Sequence, residues 1–317
     1  MHADEHSSAD SRWWHDHRAW TLAIVGLMLV ASGLAHVAVW AVLGGPWEGP
    51  VTWRKPILFG ISGGLTCLSA GWAWSKLPER RGDGWLAAAT AWALLVEVGL
   101  IDLQRWRGVA SHFNRQTPLD SFLYDLMGGL ILFVTLVIID LTIRFFRQPT
   151  PLPADMLLAA RAGLVLLAIS CLLGIWISAY GDLRVAAGLS PEIYGEAGVV
   201  KFPHGAVIHA IQWLPLLAWA ARRSGLGESR RYRLVVSATV GTSLLLVFAL
   251  VQTLTGRSRF DAPPAMAMLL AVGLACLAVP VLVTAVALLA AHRRAGAVSE
   301  GLPIQSRKGL QSRKWVL

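Results

Sequence analysis

The sequence predicts an all-α fold: a polytopic integral membrane bundle of about eight transmembrane helices. Three observations predict it. Only 15% of the 317 residues are charged, against about 25% in soluble domains, and 55% are hydrophobic. The apolar residues form long runs, and the basic residues collect in the connections on one side of these runs.

Eight apolar runs reach or approach the roughly 20 residues that cross a bilayer. They cover residues 20–43, 57–75, 85–103, 121–143, 156–180, 205–221, 234–254 and 265–291. The sixth run is the shortest and contains Pro215. The runs divide the chain into a His-rich N-terminal tail (1–19), a transmembrane domain (20–291) and a basic C-terminal tail (292–317).

The Lys and Arg residues predict the orientation. Of the 28, 18 lie in the tails and connections on the side of both termini, and 9 lie on the other side. This bias predicts cytoplasmic termini, and it explains the net charge of +9 without nucleic-acid binding. The excess of Arg over Lys and the abundance of Ala, Leu and Gly look bacterial, so we expect the bacterial cytoplasmic (inner) membrane and its lipid bilayer as the setting.

The first two runs carry one polar pair and one packing motif. Ser32 and His36 lie one turn apart, and His36 is about 10 Å below the end of its run. A Gly- and Pro-rich connection, 44–56, follows. Gly60 and Gly64 then form a GxxxG pair, which predicts close packing of the second helix against another.

The polar stretch 104–120 links the third and fourth runs. Glu97 lies about 9 Å deep in the third run, and Asp125 lies about 8 Å deep in the fourth. Thr117-Pro118 predicts a helix start with Thr117 as the N-cap, and Asp120 stands where a capping box has Glu. Carboxyl groups inside membrane helices are costly and usually functional.

The connection 181–203 is the longest and precedes a second pair of histidines. His204 lies at the start of the sixth run, and His209 lies about 8 Å into it. Three cysteines lie far apart in apolar runs with no CxxC pattern, so neither a disulfide framework nor a thiolate zinc site is indicated.

Four ionisable groups therefore lie at one depth on four helices. They are His36, Glu97, Asp125 and His209. Two histidines and two carboxylates suit zinc or another divalent metal ion, which would activate water or polarise a substrate. In this interpretation Glu97, Asp125 and the loop residue His112 are the catalytic candidates. Arg107 and Asn114 of the loop would contact the cofactor or substrate.

Haem b is a second interpretation, with His36 and His209 as axial ligands and Arg107 near the propionates. The chain has no CxxCH motif, so such a haem would be held without covalent bonds. A third interpretation is a transporter that uses the same groups as a proton or ion relay. A receptor, scaffold or assembly factor stays open.

Two resemblances accompany these patterns. Ser32-xxx-His36, a buried carboxylate and a later His pair resemble the transmembrane zinc hydrolases of the ceramidase and adiponectin-receptor type. The chain departs from them because His204 and His209 are five residues apart, where those families have His-xxx-His. The stretches 107–114, 117–120 and 201–205 with His209 resemble uncharacterised bacterial multi-pass membrane proteins, a resemblance that implies no activity.

These observations favour a metal- or haem-dependent membrane enzyme with an outward-facing site for a lipophilic substrate or haem. A transporter is the alternative, and the sequence leaves open whether the protein is an enzyme at all. The substrate, the reaction and the oligomeric state are not predicted.

Overall fold

The computed structural model describes residues 13–300, except the side chains of residues 14 and 295–300. His2 and His6 of the predicted N-terminal tail, and residues 301–317 of the predicted C-terminal tail, lie outside this part. After a 3₁₀ turn at Trp13–His15, the helices are α1 (His17–Leu43), α2 (Arg54–Ser75), α3 (Asp83–Trp106), α4 (Pro118–Arg147), α5 (Ala154–Ala186), α6 (Lys201–Val207), α7 (Ala210–Arg223), α8 (Glu228–Leu254) and α9 (Pro264–Glu300). The strands β1 (Ile193–Tyr194) and β2 (Gly198–Val199) pair antiparallel before α6.

Seven of these helices are long and apolar enough to cross a membrane: α1 to α5, α8 and α9. The prediction of a helical protein with several helices suited to cross a membrane is thus confirmed, and these apolar helices are compatible with contact with a lipid bilayer. The sixth predicted run is present as two helices, α6 and α7, separated at residues 208–209. Together they extend along α5 and α8, because Val199 before α6 contacts Thr253 of α8, and Arg222 of α7 meets Asp155 at the start of α5.

Successive helices run in alternating directions, with α6 and α7 counted as one. The connections 44–53, 107–117, 187–200 and 255–263 therefore lie at one end of the bundle, which we call the loop face. The start of α1 and the connections 76–82, 148–153 and 224–227 lie at the other end, the terminal face.

Glycines let α1 and α2 pack backbone to backbone, as the GxxxG pair predicts. A Cβ added to Gly60 would lie 2.8 Å from Cα of Gly33, and one added to Gly64 would lie 2.5 Å from the carbonyl oxygen of Gly26. The Gly60 side of α2 is therefore fully occupied by α1.

Buried ion pairs hold the terminal face. Arg144 is fully buried and donates to both oxygens of Asp83, at 2.8 and 2.9 Å, while Arg18 reaches the same carboxylate at 3.2 Å. Asp140 lies 3.8 Å from Arg144, so its ion pair with that arginine is secondary. Asp155, also buried, accepts from Arg222 and Arg231. These clusters fix helix ends and leave the loop face as the place for a site.

The predicted start of α4 is confirmed. Thr117 is the N-cap, and its hydroxyl accepts from the backbone N–H of Asp120 at 3.1 Å, with Pro118 as the first helical residue. The polar loop 107–117 thus enters α4 in a fixed direction.

Candidate functional site

The facing sides of α2 and α6–α7 form the candidate site, and we call the region between them the cleft. Both elements run from the loop face toward the terminal face, and they present matched residues to each other. Lys55 of α2 faces Lys201 of α6 closely enough for their charges to interact, and about two turns deeper the Ser62 hydroxyl lies 3.4 Å from Nε2 of His209. Between these levels Gly205 is exposed, and a Cβ added to it would meet nothing within 4 Å.

The mouth of the cleft is cationic. Lys201 forms an ion pair with Glu192 at 2.5 Å, whereas Lys55 has neither a hydrogen bond nor an ion pair with any described residue. Lys55 is only partly exposed, and Glu192, which pairs with Lys201, is also near enough to act on its charge. Two poorly solvated lysines that share one carboxylate attract a further anion.

His112 forms one wall of this mouth. Its ring lies 5.7 Å from that of Phe59 and 6.0 Å from that of Tyr124. Burial, together with the positive charges of Lys55 and Lys201, lowers the pKa of His112 to about 3. The imidazole is therefore neutral at physiological pH, and it is a poor proton acceptor.

The other predicted loop residues hold the loop itself. Arg107 donates to Gln104 and, at 2.7 Å, to the buried carboxylate of Asp120. Asn114 is buried, donates to the Ala110 carbonyl oxygen at 3.0 Å, and accepts from the backbone N–H of Gln116. Arg107 and Asn114 thus keep His112 in place, and their polar groups are engaged within the loop region.

Asp125 lies away from the cleft. Its side chain is 61% exposed and forms an ion pair with Arg115 at 2.9 Å, and Arg115 also lies 3.5 Å from Asp182. The sequence places Asp125 at the expected depth, but the helix turns it to the outside of the bundle. Its neighbour Tyr124 is the residue that points inward.

Glu97 is at the predicted level but has no partner. It is 5% exposed, and no described residue offers it a hydrogen bond or an ion pair. A Cβ added to Gly63 of α2 would lie 3.4 Å from the Val98 side chain of α3. Their chain neighbours, Ser62 and Glu97, therefore lie at the same level of the bundle. The thiol of Cys171 is close enough to interact with the Glu97 charge.

His36 belongs to a separate polar cluster between α1 and α3. Its Nδ1–H donates to the Ser32 carbonyl oxygen at 2.9 Å, and its Nε2 accepts from Nε1 of Trp106 at 3.1 Å. The Ser32 hydroxyl donates to Asp102 at 3.1 Å. Both ring nitrogens of His36 are therefore occupied by protein groups.

The four predicted ligands do not form one centre. Within residues 13–300, no group of three or more His, Cys, Asp or Glu side chains is arranged to hold a metal ion. His36 lies on the α1 side of α2, where Gly60 packs, and His209 contacts Ser62, about 200° further round the same helix. Because α2 stands between the two histidines, they cannot be the axial ligands of one haem, and the residues do not fit the predicted cofactor.

Sequence reasoning missed Ser62 and Asp102. Ser62 lies in a run of small residues, and its only signal is that Lys55, Phe59 and Ser62 share one helix face. Asp102 lies near the end of its run, where a carboxylate is expected at the interface. No family model, curated protein or solved structure matches the chain.

Proposed function

We propose that the protein binds an anionic, lipophilic ligand in the cleft between α2 and α6–α7, with the anionic group at Lys55 and Lys201. The observation that carries the proposal is the pairing of two lysines with a single carboxylate at the loop-face end of the region between α2 and α6–α7. The neutral ring of His112 and the ring of Phe59 supply an apolar wall for the rest of the ligand.

The proposal includes the topology. Eight crossings, with α6 and α7 as the sixth, put both termini on the same side, and the bias in Lys and Arg makes that side cytoplasmic. The loop face is then extracytoplasmic, and the cleft receives its ligand from the outer half of a bacterial inner membrane.

A bilayer component suits this position better than a free anion. The exposed apolar side chains Leu58 and Phe59 lie on the cleft side of α2, one turn below the lysine. A ligand with an acyl chain buries this surface and gains roughly 25 cal/mol for each Å² removed from water. Inorganic phosphate makes only the contacts at the mouth.

Binding of defined lipids to the purified protein tests the proposal. Native mass spectrometry compares dioleoyl phosphatidylglycerol, which is anionic, with dioleoyl phosphatidylcholine, which is zwitterionic. We expect preference for the anionic lipid, and at least about a tenfold loss of that preference in Lys55→Gln/Lys201→Gln, because even one charged hydrogen bond contributes about 1.5–3 kcal/mol and about 1.4 kcal/mol is a factor of ten.

The double variant Arg257→Gln/Arg259→Gln is the matched control, because it removes two charges from the same face outside the cleft. It should bind as the wild type does. Equal binding of the two lipids, or an equal loss in both double variants, would overturn the proposal. Displacement of the lipid by millimolar inorganic phosphate alone would show that the anion, and not the lipophilic part, is what the cleft recognises.

Glu97 favours a second candidate, the proton relay of a transporter. A carboxyl group that is 5% exposed and unpartnered in the described structure, level with the floor of the cleft, is suited to carry a proton. Proton uptake coupled to ligand movement in proteoliposomes, lost in Glu97→Gln with lipid binding intact, would support this candidate.

A further inference from the structure

Each histidine of the loop half has a serine beside it, and the four pairs differ in what the histidine can do. The pairs are His36 with Ser32, His112 with Ser111, His204 with Ser170, and His209 with Ser62. In three of them the hydroxyl lies near Nδ1, and only in the fourth does it lie near Nε2.

In two of the Nδ1 pairs, the histidine cannot act as a base toward its serine. Nδ1 of His204 lies 2.8 Å from the Ser170 carbonyl oxygen and must therefore carry its proton, while the Ser170 hydroxyl donates to the His204 carbonyl. His36 has the same arrangement with the Ser32 carbonyl oxygen. In both pairs the ring nitrogen beside the serine is a donor, and it cannot remove the hydroxyl proton.

The pair in the loop is excluded for another reason. Burial, together with the charges of Lys55 and Lys201, lowers the pKa of His112 to about 3, and a base that weak does not deprotonate a serine hydroxyl. His112 therefore serves as part of the wall at the mouth of the cleft and does not act as a base.

Ser62 and His209 are free of these restrictions. The Ser62 hydroxyl has no other side-chain partner in the described part of the chain, and it lies 3.4 Å from Nε2 of His209, to which it can donate when the imidazole carries its proton on Nδ1. His209 is exposed to the cleft, since it lies at the break between α6 and α7 and precedes the first turn of α7. A serine and a histidine within reach of each other in an unliganded site are the pattern of an activated nucleophile, although catalytic hydrogen bonds are often long before substrate binds.

Gln212 provides the third group that such a pair needs. It lies one turn after His209 and interacts with it, but neither the oxygen nor the nitrogen of its buried amide meets hydrogen-bond geometry with a described group. An amide oxygen without a partner is an acceptor that could hold the Nδ1 proton of His209, and this tautomer would leave Nε2 for Ser62.

We propose that Ser62 is a nucleophile and His209 its general base, and that the pair cleaves an acyl ester of the anionic lipophilic ligand. This inference rests on the proposed function for its substrate class. Gln212 is a positioning residue that acts through His209.

The reaction balances without a cofactor. The Ser62 oxygen attacks the ester carbonyl carbon as its proton moves to Nε2 of His209, and the tetrahedral intermediate expels the alcohol, which takes that proton. Water entering the cleft then attacks the acyl-serine, and its proton passes through His209 to the Ser62 oxygen. The products are an alcohol and a carboxylic acid.

An alkyl fluorophosphonate with no charged group tests the nucleophile on the full-length protein in detergent. We expect covalent labelling at Ser62, located by peptide mass spectrometry, and no labelling of Ser62→Ala. Ser69→Ala is the matched control, since this serine lies two turns further along the same helix and bonds to its own backbone. It should be labelled as the wild type is.

The base has its own readout. His209→Gln should slow labelling by about 100-fold or more, the usual contribution of a general base, and should abolish the rise of the labelling rate with pH that deprotonation of His209 produces in the wild type. Gln212→Ala should slow labelling and shift that pH profile, and Gln212→Glu should restore the labelling rate that Gln212→Ala loses. A merely structural role for Gln212 would leave the pH profile unchanged.

Absence of labelling in the wild type, labelling at another serine, or unchanged labelling in Ser62→Ala would overturn the inference. Binding of phosphatidylglycerol by the same preparations separates this failure from failure of the proposed function. Binding without labelling refutes the dyad alone, and labelling without preference for the anionic lipid refutes the ligand class alone.

Discussion

Trp106 donates its indole N–H to Nε2 of His36 across the α1–α3 interface, at 3.1 Å. The other ring nitrogen of His36 is satisfied by the Ser32 carbonyl oxygen, so this histidine serves as a hydrogen-bonding element of the packing. Its environment identifies it as a structural residue, in contrast to His209.

Substitution of His36 should therefore reduce stability and leave ligand binding unchanged. We expect His36→Phe to lower the free energy of unfolding by about 1–3 kcal/mol, because it removes from a buried side chain the hydrogen bonds to Trp106 and to the Ser32 carbonyl oxygen, each of which contributes about 0.5–1.5 kcal/mol. His209→Phe is the comparison, and it should change stability little because His209 is exposed. Thermal unfolding in detergent measures both, and the opposite ranking would contradict the assignment of roles.

The close approach of α1 and α2 gives a second prediction. A methyl group at Gly33 would lie 2.8 Å from the backbone nitrogen of Ile61, so Gly33→Ala must push the helices apart, at a cost of about 1–3 kcal/mol. Gly99→Ala provides the control, since a Cβ there meets nothing within 4 Å, and alanine favours the helix by up to about 1 kcal/mol. The unfolding midpoint should fall in the first variant and stay or rise in the second. A fall of equal size in both would show that the contact is not the cause.

The helices, the loop face and the depth of Glu97 and His209 could be predicted because they depend on quantities summed along the chain. Hydrophobicity over 20 residues sets a span, and the rise of 1.5 Å per residue sets a depth. The start of α4 was predictable because Thr117 and Pro118 act locally.

The direction in which each residue points could not be predicted, because it depends on which helices are neighbours. Gly60 and Ser62 are two residues apart, yet one is buried against α1 and the other faces the cleft. Asp125 has the expected depth but points outward, while Tyr124 points inward. A set of groups at one depth is thus necessary for a shared site and does not establish one.

The protonation state of His112 leads to a dependence of stability on pH. The folded protein holds the pKa of His112 at about 3, well below its ordinary value of 6.5, so below pH 6.5 the unfolded chain binds a proton that the folded chain refuses. Stability should therefore fall as the pH is lowered from 6.5 toward 3, by at most about 1.4 kcal/mol per pH unit and less to the extent that solvent screens the ring. Above pH 6.5 this contribution is constant.

The difference between the wild type and His112→Asn isolates this effect from other titrations. Asparagine keeps a polar group beside Ser111 but cannot be protonated. The unfolding midpoint of the His112→Asn variant should therefore fall less steeply between pH 6.5 and 4 than that of the wild type. Parallel curves for the two proteins would mean that His112 titrates normally and is not shielded between Lys55 and Lys201.

The pairing of Asp83 with Arg144 gives the last prediction. Asp83→Asn leaves the fully buried guanidinium of Arg144 without its carboxylate, and removing one partner of a buried ion pair typically costs about 3–5 kcal/mol. Asp140→Asn removes the more distant carboxylate, whose side chain is 40% exposed, and should cost less than about 1 kcal/mol. Unfolding of the two variants in the same detergent measures the difference, which would vanish if Arg144 were satisfied by the Pro78 carbonyl oxygen and Gln148 alone. Because this cluster lies at the terminal face, neither variant that remains folded should alter lipid preference at Lys55 and Lys201.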